Sequence, residues 1–553
     1  MTIPPKTLRF LASRTAAWLL LTAAGTAQIG NVSGGPLIPE QACYDVLHYD
    51  LGLAVDPASR TIEGTLTMRA KAVASCAVFV LDLDAALAVR SVRLDGGDVP
   101  FEREPGRIRV QPALPIAEGA TFSVAVAYGG APQVAKNPPR SGGFTWAETA
   151  AKQPWIATTC QQEGADLWWP CKDHPSDKPD TVDLHITVPK GLVVASNGTL
   201  QGQSNRAESE GGGVTWHWHV ASPISNYNIA LDIAPYVELK DTFTCIDGTV
   251  MPVEFFVLPE SVARAKRCMA QFLDHIRVFE GILGPYPFRH EKYGLAETPH
   301  LGMGHHTMIA YGNGFRDEQY DWLHNHELAH EWWGNLVTCR DWKDMWLHEG
   351  FATYMQALYR ERRFGREHYD SEIQKQRTVN LTPIAPRDSK TTAEIYLGGG
   401  GGNDIYSKGS WVLHTLRWQM GDVPFFQALR RFCYPSEAAE KASDGSQVRF
   451  VDTDDFVRLC SEIVGQDLVW FFEVYVRQPT QPRLQVDVVD GMLKLQWLVP
   501  KGLLFELPVP VVMGGEVRRV KMPGGRGELS VGDADFNIDP EQRILMLPFR
   551  RGP

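Results

Sequence analysis

With 553 residues, the chain is too long for one ordinary hydrophobic core, and two to four domains are expected. Hydrophobic residues make up 44% and charged residues 22%, a balance that excludes a disordered chain. The formal net charge of -11 repels phosphate backbones and excludes nucleic acid as an expected partner; it leaves small substrates open, because a local pocket can oppose the global field.

The first 27 residues read as a signal peptide. Lys6, Arg9 and Arg14 supply positive charge, residues 16–24 form a short apolar stretch, and Gly25-Thr26-Ala27 offers small residues for cleavage before Gln28. That stretch is well short of the roughly 20 residues needed to cross a bilayer. No later segment is long and apolar enough, so no membrane span is expected, and the expected location is periplasmic or secreted. The nine cysteines run from Cys43 to Cys460. Their odd number leaves at least one thiol free or paired between chains, and none shows a CxxC metal spacing. One or two structural bridges are compatible with an oxidising compartment.

From residue 44 to about 238 the pattern is mostly strand. Residues 48–55 and 61–70 alternate apolar and polar around the turn signal Asp56-Pro57, and 107–110, 121–127, 182–188 and 214–220 continue the alternation. An all-β domain is expected over 40–240. The character then changes. Residues 261–283 read as a helix, with Ala263, Met269, Phe272, Ile276 and Phe279 on one broad face, stopped by Gly284-Pro285-Tyr286-Pro287. Further helices are expected over 321–334, 348–364, 408–419 and 455–464, within a second domain spanning 241–478. The glycine run 398–402 reads as a flexible loop just before Tyr406. Alternation returns at 484–488 and 493–497, so a small β domain over 480–553 closes the chain. The fold class is multidomain α+β.

The chemistry concentrates in His326-Glu327-Leu328-Ala329-His330. On a helix, positions i and i+4 share a face one turn apart, so both imidazoles reach one ion. Zinc suits imidazole nitrogen and carboxylate oxygen, and a catalytic site keeps a further position for water. Glu327, beside the first ligand, is placed to take a proton from that water. Eighteen residues separate His330 from Glu349, which stands at the start of an expected helix and completes a two-histidine, one-carboxylate set for one Zn2+ per chain. The bland reading of Glu349 is a helix N-terminal acid favoured by the dipole. His324 and His348 lack the one-turn spacing and read as partly buried histidines.

The motif continues as Glu331-Trp332-Trp333-Gly334-Asn335-x-Val337-Thr338 and then Trp346-Leu347-His348-Glu349-Gly350-Phe351-Ala352. With it, the chain resembles the gluzincin zinc aminopeptidases, the family of aminopeptidase N and the leukotriene epoxide hydrolases. Trp168-Trp169-Pro170-Cys171-Lys172-Asp173-His174-Pro175, then Val188-Pro189-Lys190-Gly191-Leu192 and Ser196-Asn197-Gly198, are similar to that family's N-terminal domain. Tyr406-Ser407-Lys408-Gly409-Ser410 resembles the segment carrying its catalytic tyrosine. The landmarks run in order from about residue 45 to 480. The resemblance implies an N-terminal β saddle, a thermolysin-like zinc peptidase domain and a small C-terminal β domain. It also implies a short form without the large helical C-terminal domain of many relatives. Peptides are the implied substrates, with Tyr406 donating to the oxyanion.

The family holds the substrate's free amine through a Gly-x-Met-Glu-Asn-type strand. Here the corresponding stretch is Leu301-Gly302-Met303-Gly304-His305-His306, and Gly304 stands where the glutamate belongs. Gln161 matches a second amine anchor, and Glu163 is the neighbouring candidate for the missing charge. Its bland reading is a solvated loop acid. A lost charged hydrogen bond is worth about 1.5–3 kcal/mol, roughly ten- to hundredfold in affinity or rate. Three readings follow: an aminopeptidase; a hydrolase of altered specificity acting on blocked or internal peptide bonds or on an epoxide; and an inactive peptide-binding homologue.

Overall fold

The computed structural model describes residues 32–207, 212–377, 382–397 and 404–551. The expected signal peptide and the glycine run 398–402 lie outside these residues. Alternating burial along Tyr44–Asp56, Thr61–Ala72 and Thr121–Gly130 builds one apolar face, and these strands form the middle of an eight-stranded sheet. Thr181–Val188, Val214–Val220 and Thr199–Asn205 extend it on one side, and Leu87–Leu94 and Gly97–Asp98 on the other. Tyr44–Asp56 pairs in parallel with Thr181–Val188 and antiparallel with Thr61–Ala72. A four-stranded sheet (Val193–Ala195, Asp232–Ala234, Pro154–Thr159, Gly143–Glu148) carries the chain toward the site.

The sheet changes after Ala234. Val237–Thr244 starts a five-stranded mixed sheet, continued in spatial order by Val250–Val257, Tyr293–Glu297, Ile309–Tyr311 and the edge strand Gly302–Met303. Helices pack beside it: α1 (Val262–Leu283), α2 (Trp322–Ala329), α3 (Trp346–Phe364), α4 (Arg366–Lys375), α5 (Thr392–Leu397), α6 (Gly409–Met420), α7 (Asp422–Cys433) and α8 (Thr453–Val464). The buried stripe of α1 runs through Ala265, Cys268, Phe272, Ile276 and Phe279. Ala263 is exposed instead, because it lies two residues before Ala265 and so on the opposite face of the helix. The helix stops at Gly284, whose φ of 103° suits glycine.

The helix expected over 321–334 is shorter. α2 ends at Ala329, and Asn335, Leu336 and Val337 donate their N–H groups to the carbonyls of His330, Glu331 and Trp332. These wide i to i+5 bonds, together with Gly334 at φ 128°, turn the chain away where periodicity alone would continue it.

From Arg483 two small sheets follow, of four and three strands. Arg483–Val489 and Met492–Leu498 pair antiparallel, as their alternation predicts. All nine cysteines are free and buried, and no helix among the described residues is long and apolar enough to cross a membrane.

Polar side chains tie the β domain to the helices around the site. Asn197 Nδ2 donates to the carbonyls of Asn228 (2.8 Å) and His306 (2.6 Å), and Gly198 N donates to Thr307 Oγ1 (2.9 Å). Lys178 Nζ, fully buried, donates to Asn335 O at 2.7 Å. Burial pushes this ammonium down to about 7. The Ser196-Asn197-Gly198 landmark is therefore a junction between layers.

Candidate active site

Asp321 starts α2. Its carboxylate accepts from His324 N at 3.0 Å, satisfying one of the otherwise unpaired first-turn donors. One turn apart on this helix, His326 and His330 face the same point, and their Nε2 atoms lie 3.3 Å from each other. His330 is the C-cap residue but keeps helical angles, so the i, i+4 geometry survives the helix end. Its Nδ1 lies 2.9 Å from Trp333 O. A carbonyl only accepts, so Nδ1 carries a proton, and a neutral His330 would present the Nε2 lone pair to the site.

Glu349 sits in the first turn of α3, 1% exposed. Its two oxygens have different partners. Oε1 accepts from Gln161 Nε2 (3.0 Å) and from the Tyr396 hydroxyl (3.1 Å). Oε2 is buried without a hydrogen bond and lies 3.4 Å from Nε2 of both His326 and His330. Ligands at about 2.05 Å from a tetrahedral zinc stand about 3.35 Å apart (2.05 × 1.63). The three observed edges of 3.3, 3.4 and 3.4 Å match that spacing. Among the described residues, this is the one cluster of three or more histidine, cysteine or acidic groups arranged to hold a metal ion.

Electrostatics agree with the geometry. Burial alone would push Glu349 up, but His330 and His326 hold it well below the usual carboxylate range. Burial opposes charge on His330 as well, yet Glu349 overrides it and lifts the imidazole to about 9. The cluster therefore attracts positive charge to its centre, and a divalent cation supplies that charge with both imidazoles neutral.

Glu327 is 7% exposed, and burial raises its pKa against the pull of His326 and His330. The edge strand Gly302–Met303 lies against it: a Cβ at Gly302 would fall 2.9 Å from Glu327 Oε1. At Gly304 a Cβ would fall 2.5 Å from His330 Cβ, so no side chain fits there on this backbone. Met303 is buried at 7% exposure. Glu163 is half-buried and not solvated as a free loop acid. Its Oε2 accepts from Gln133 Nε2 (2.7 Å) and Gly142 N (3.0 Å).

Tyr406 belongs to a π-helical turn, Asp404–Lys408, that leads into α6. Its ring stacks beside His326, with centroids 5.9 Å apart and 28° between planes. It also lies beside the Tyr396 ring, with centroids 6.4 Å apart, and burial followed by the Glu349 charge keeps the phenol well above its usual pKa. Two glycines set this placement. A Cβ on Gly350, next to Glu349, would meet Gly409 Cα at 2.8 Å, and one on Gly409 would meet Gly350 Cα at 2.7 Å. α3 and the start of α6 thus touch backbone to backbone.

His324 and His348 are core residues, more deeply buried than expected. His324 stacks on Phe272 at 3.7 Å and bonds His275 Nδ1 at 2.8 Å. His348 Nε2 accepts from Cys339 N at 2.9 Å. Sequence reasoning passed over Tyr396, which has no spacing relation to the metal motif.

Gln161 and Tyr396 act as a clamp that leaves only Oε2 to the metal. Gln161→Ala and Tyr396→Phe are each expected to weaken zinc binding about 10–100-fold. Competition with a calibrated chelator measures this, and unchanged affinity in both variants would remove the clamp from metal retention.

This ligand set defines a metallopeptidase-type centre. The Peptidase family M1 domain model matches residues 316–475, and the Peptidase M1 N-terminal domain model matches residues 46–228. The chain belongs to peptidase family M1. It is 24% identical over 399 residues to leucyl aminopeptidase of Saccharolobus solfataricus, covering 66% of this chain and 47% of that protein. It is 25% identical over 339 residues to leukotriene A-4 hydrolase of Xenopus laevis, covering 59% of this chain and 53% of that one. The chain thus spans about half the length of these relatives. The M1 zinc metallopeptidase of Deinococcus radiodurans shares the fold, with TM-score 0.65 and 24% identity over 79% of this chain and 94% of that one.

Proposed function

We propose that the protein is a zinc-dependent hydrolase that releases N-terminal residues from peptides. The observation that carries this reading is the buried Glu349 Oε2, bonded to nothing and equidistant from two imidazole nitrogens. His326, His330 and Glu349 would hold the metal. Zinc, when bound, supplies Lewis acidity that brings water into reach of deprotonation near neutral pH and polarises a carbonyl.

The chain's own residues do the rest. An extended peptide would lie along the free edge of Gly302–Met303, beside Glu327. Glu327 would take the proton from the attacking water and pass it to the departing amine, serving as base and then as acid. Tyr406 would donate its hydroxyl proton in a hydrogen bond to the carbonyl oxygen as negative charge gathers there. The leader-like composition of residues 1–27 supports a periplasmic or secreted location in the same proposal.

A second reading is favoured at one position. Gly304 brings no carboxylate and has no room for one, Gln161 is engaged by Glu349, and Glu163 already serves Gln133 and Gly142. These engagements favour action on peptides whose N-terminus is blocked. Introducing glutamate at 304 would displace His330, so substrates make the cleaner test. Purified zinc-loaded protein is assayed on matched free and N-acetylated aminoacyl substrates. Cleavage confined to free amines supports the aminopeptidase, and equal or faster cleavage of acetylated ones supports the second reading. Turnover of neither, with zinc bound, would favour the inactive homologue.

A further inference from the structure

A cleft of about 150 Å³ lies where the C-terminal strands meet the helices. Four arginines line it: Arg366 from α4, Arg417 from α6, and Arg519 and Arg543 from the C-terminal domain. Asp422, at the first position of α7, is the one carboxylate among the lining residues.

The charges do not balance within the cleft. Arg417 is satisfied twice, by Glu361 (2.6 Å) and by Asp422 (2.8 Å), which uses up the lining carboxylate. Arg366 reaches Asp370 at 2.8 Å and Arg543 Nε reaches Glu541 at 3.0 Å, both acids that stand outside the lining. Arg519 has only neutral acceptors: its Nη2 donates to Gln419 O at 2.7 Å and Gln419 Oε1 at 3.3 Å.

Arg519 and Arg543 also share one aromatic ring. Their guanidinium carbons lie 4.6 and 4.9 Å from the centroid of Trp418. The indole favours each cation separately, but two guanidiniums on one ring repel one another. Arg519 is exposed at its surface side, and the partial burial of its guanidinium in the cleft, then Arg543, pull it below the usual arginine range. His414, beside them, adds no charge, because burial and the surrounding arginines hold it down to about 3.

We propose that this cleft is an anion site that takes one compact tetrahedral oxyanion, phosphate or sulfate, between Arg519 and Arg543. Guanidinium forks match oxyanion geometry; Arg519 keeps Nε and Nη1, and Arg543 keeps Nη1, beyond their bonds to Gln419 and Glu541. The volume is about half the lower end of the range for drug-sized ligands, roughly 300 Å³, so a nucleotide does not fit. The ion would join the C-terminal strands to α4 and α6 and relieve the repulsion across Trp418.

The test uses the full chain, titrated by calorimetry with sodium phosphate and sodium sulfate, with sodium chloride at matched ionic strength as the control. Saturable one-site binding of phosphate or sulfate, absent with chloride, is expected. Arg519→Gln, exposed and free of carboxylate partners, should fold normally and lose at least tenfold in affinity, and Arg543→Gln should do the same. A parallel melting series reads the stabilisation, and only its saturable part counts, since sulfate stabilises folded proteins in general by exclusion. Non-saturable heats, equal responses to chloride, or undiminished affinity in Arg519→Gln would overturn the proposal. A preference for phosphate over sulfate, or the reverse, identifies the ion within the supported class.

Discussion

Glu327→Gln is expected to keep one zinc per chain and lose about 10²–10⁴-fold in turnover, the range for removing a general acid–base group. The substitution is close to isosteric, and it leaves His326, His330 and Glu349 with their mutual spacings of 3.3 and 3.4 Å. What disappears is the capacity to accept a proton, since an amide is not basic at neutral pH. Metal content by atomic emission and kcat on the same preparation separate the two functions. Peptide hydrolysis at the wild-type rate by purified Glu327→Gln would take the carboxylate out of the chemistry. A joint loss of zinc and activity would instead make it a structural support.

His330→Ala is expected to abolish both metal retention and turnover. The imidazole is one of three ligands and the better fixed of the two histidines, held through Nδ1 by Trp333 O at 2.9 Å. Without it, Glu349 Oε2 faces His326 alone. Metal bound to the folded state raises stability by mass action. Chelator-treated wild type should therefore melt lower, and recover both melting temperature and activity on adding zinc. His330→Ala should show neither response. Zinc-dependent recovery in that variant would place the metal elsewhere.

The metal cluster was legible because its information is local: one helical turn fixes His326 against His330, and a second motif supplies Glu349. The strands were legible for the same reason. Residues 214–220 alternate, and the strand found there is Val214–Val220. What escaped is the set of contacts that depend on how separate layers meet. Gln161 lies 188 residues from Glu349, and no periodicity shows that its amide meets the Tyr396 hydroxyl on a single oxygen. The early end of α2 escaped too, because Trp332 and Trp333 continue the apolar pattern while the backbone bonds have already changed. At position 304 the sequence shows a missing carboxylate. It takes the fold to show that His330 occupies the space a side chain would need.

The bare crossing of Gly350 and Gly409 has a consequence for how variation at this site is read. Neither residue offers a functional group, yet the main-chain thickness of the two segments fixes how far Tyr406 stands from Glu349. A single methyl at either glycine would wedge the segments apart, and a misplacement of about 1 Å at a reacting group can cost roughly 10²-fold in rate. Loss of catalysis would then arise with every reactive atom still present, at residues that an inventory of functional groups would pass over.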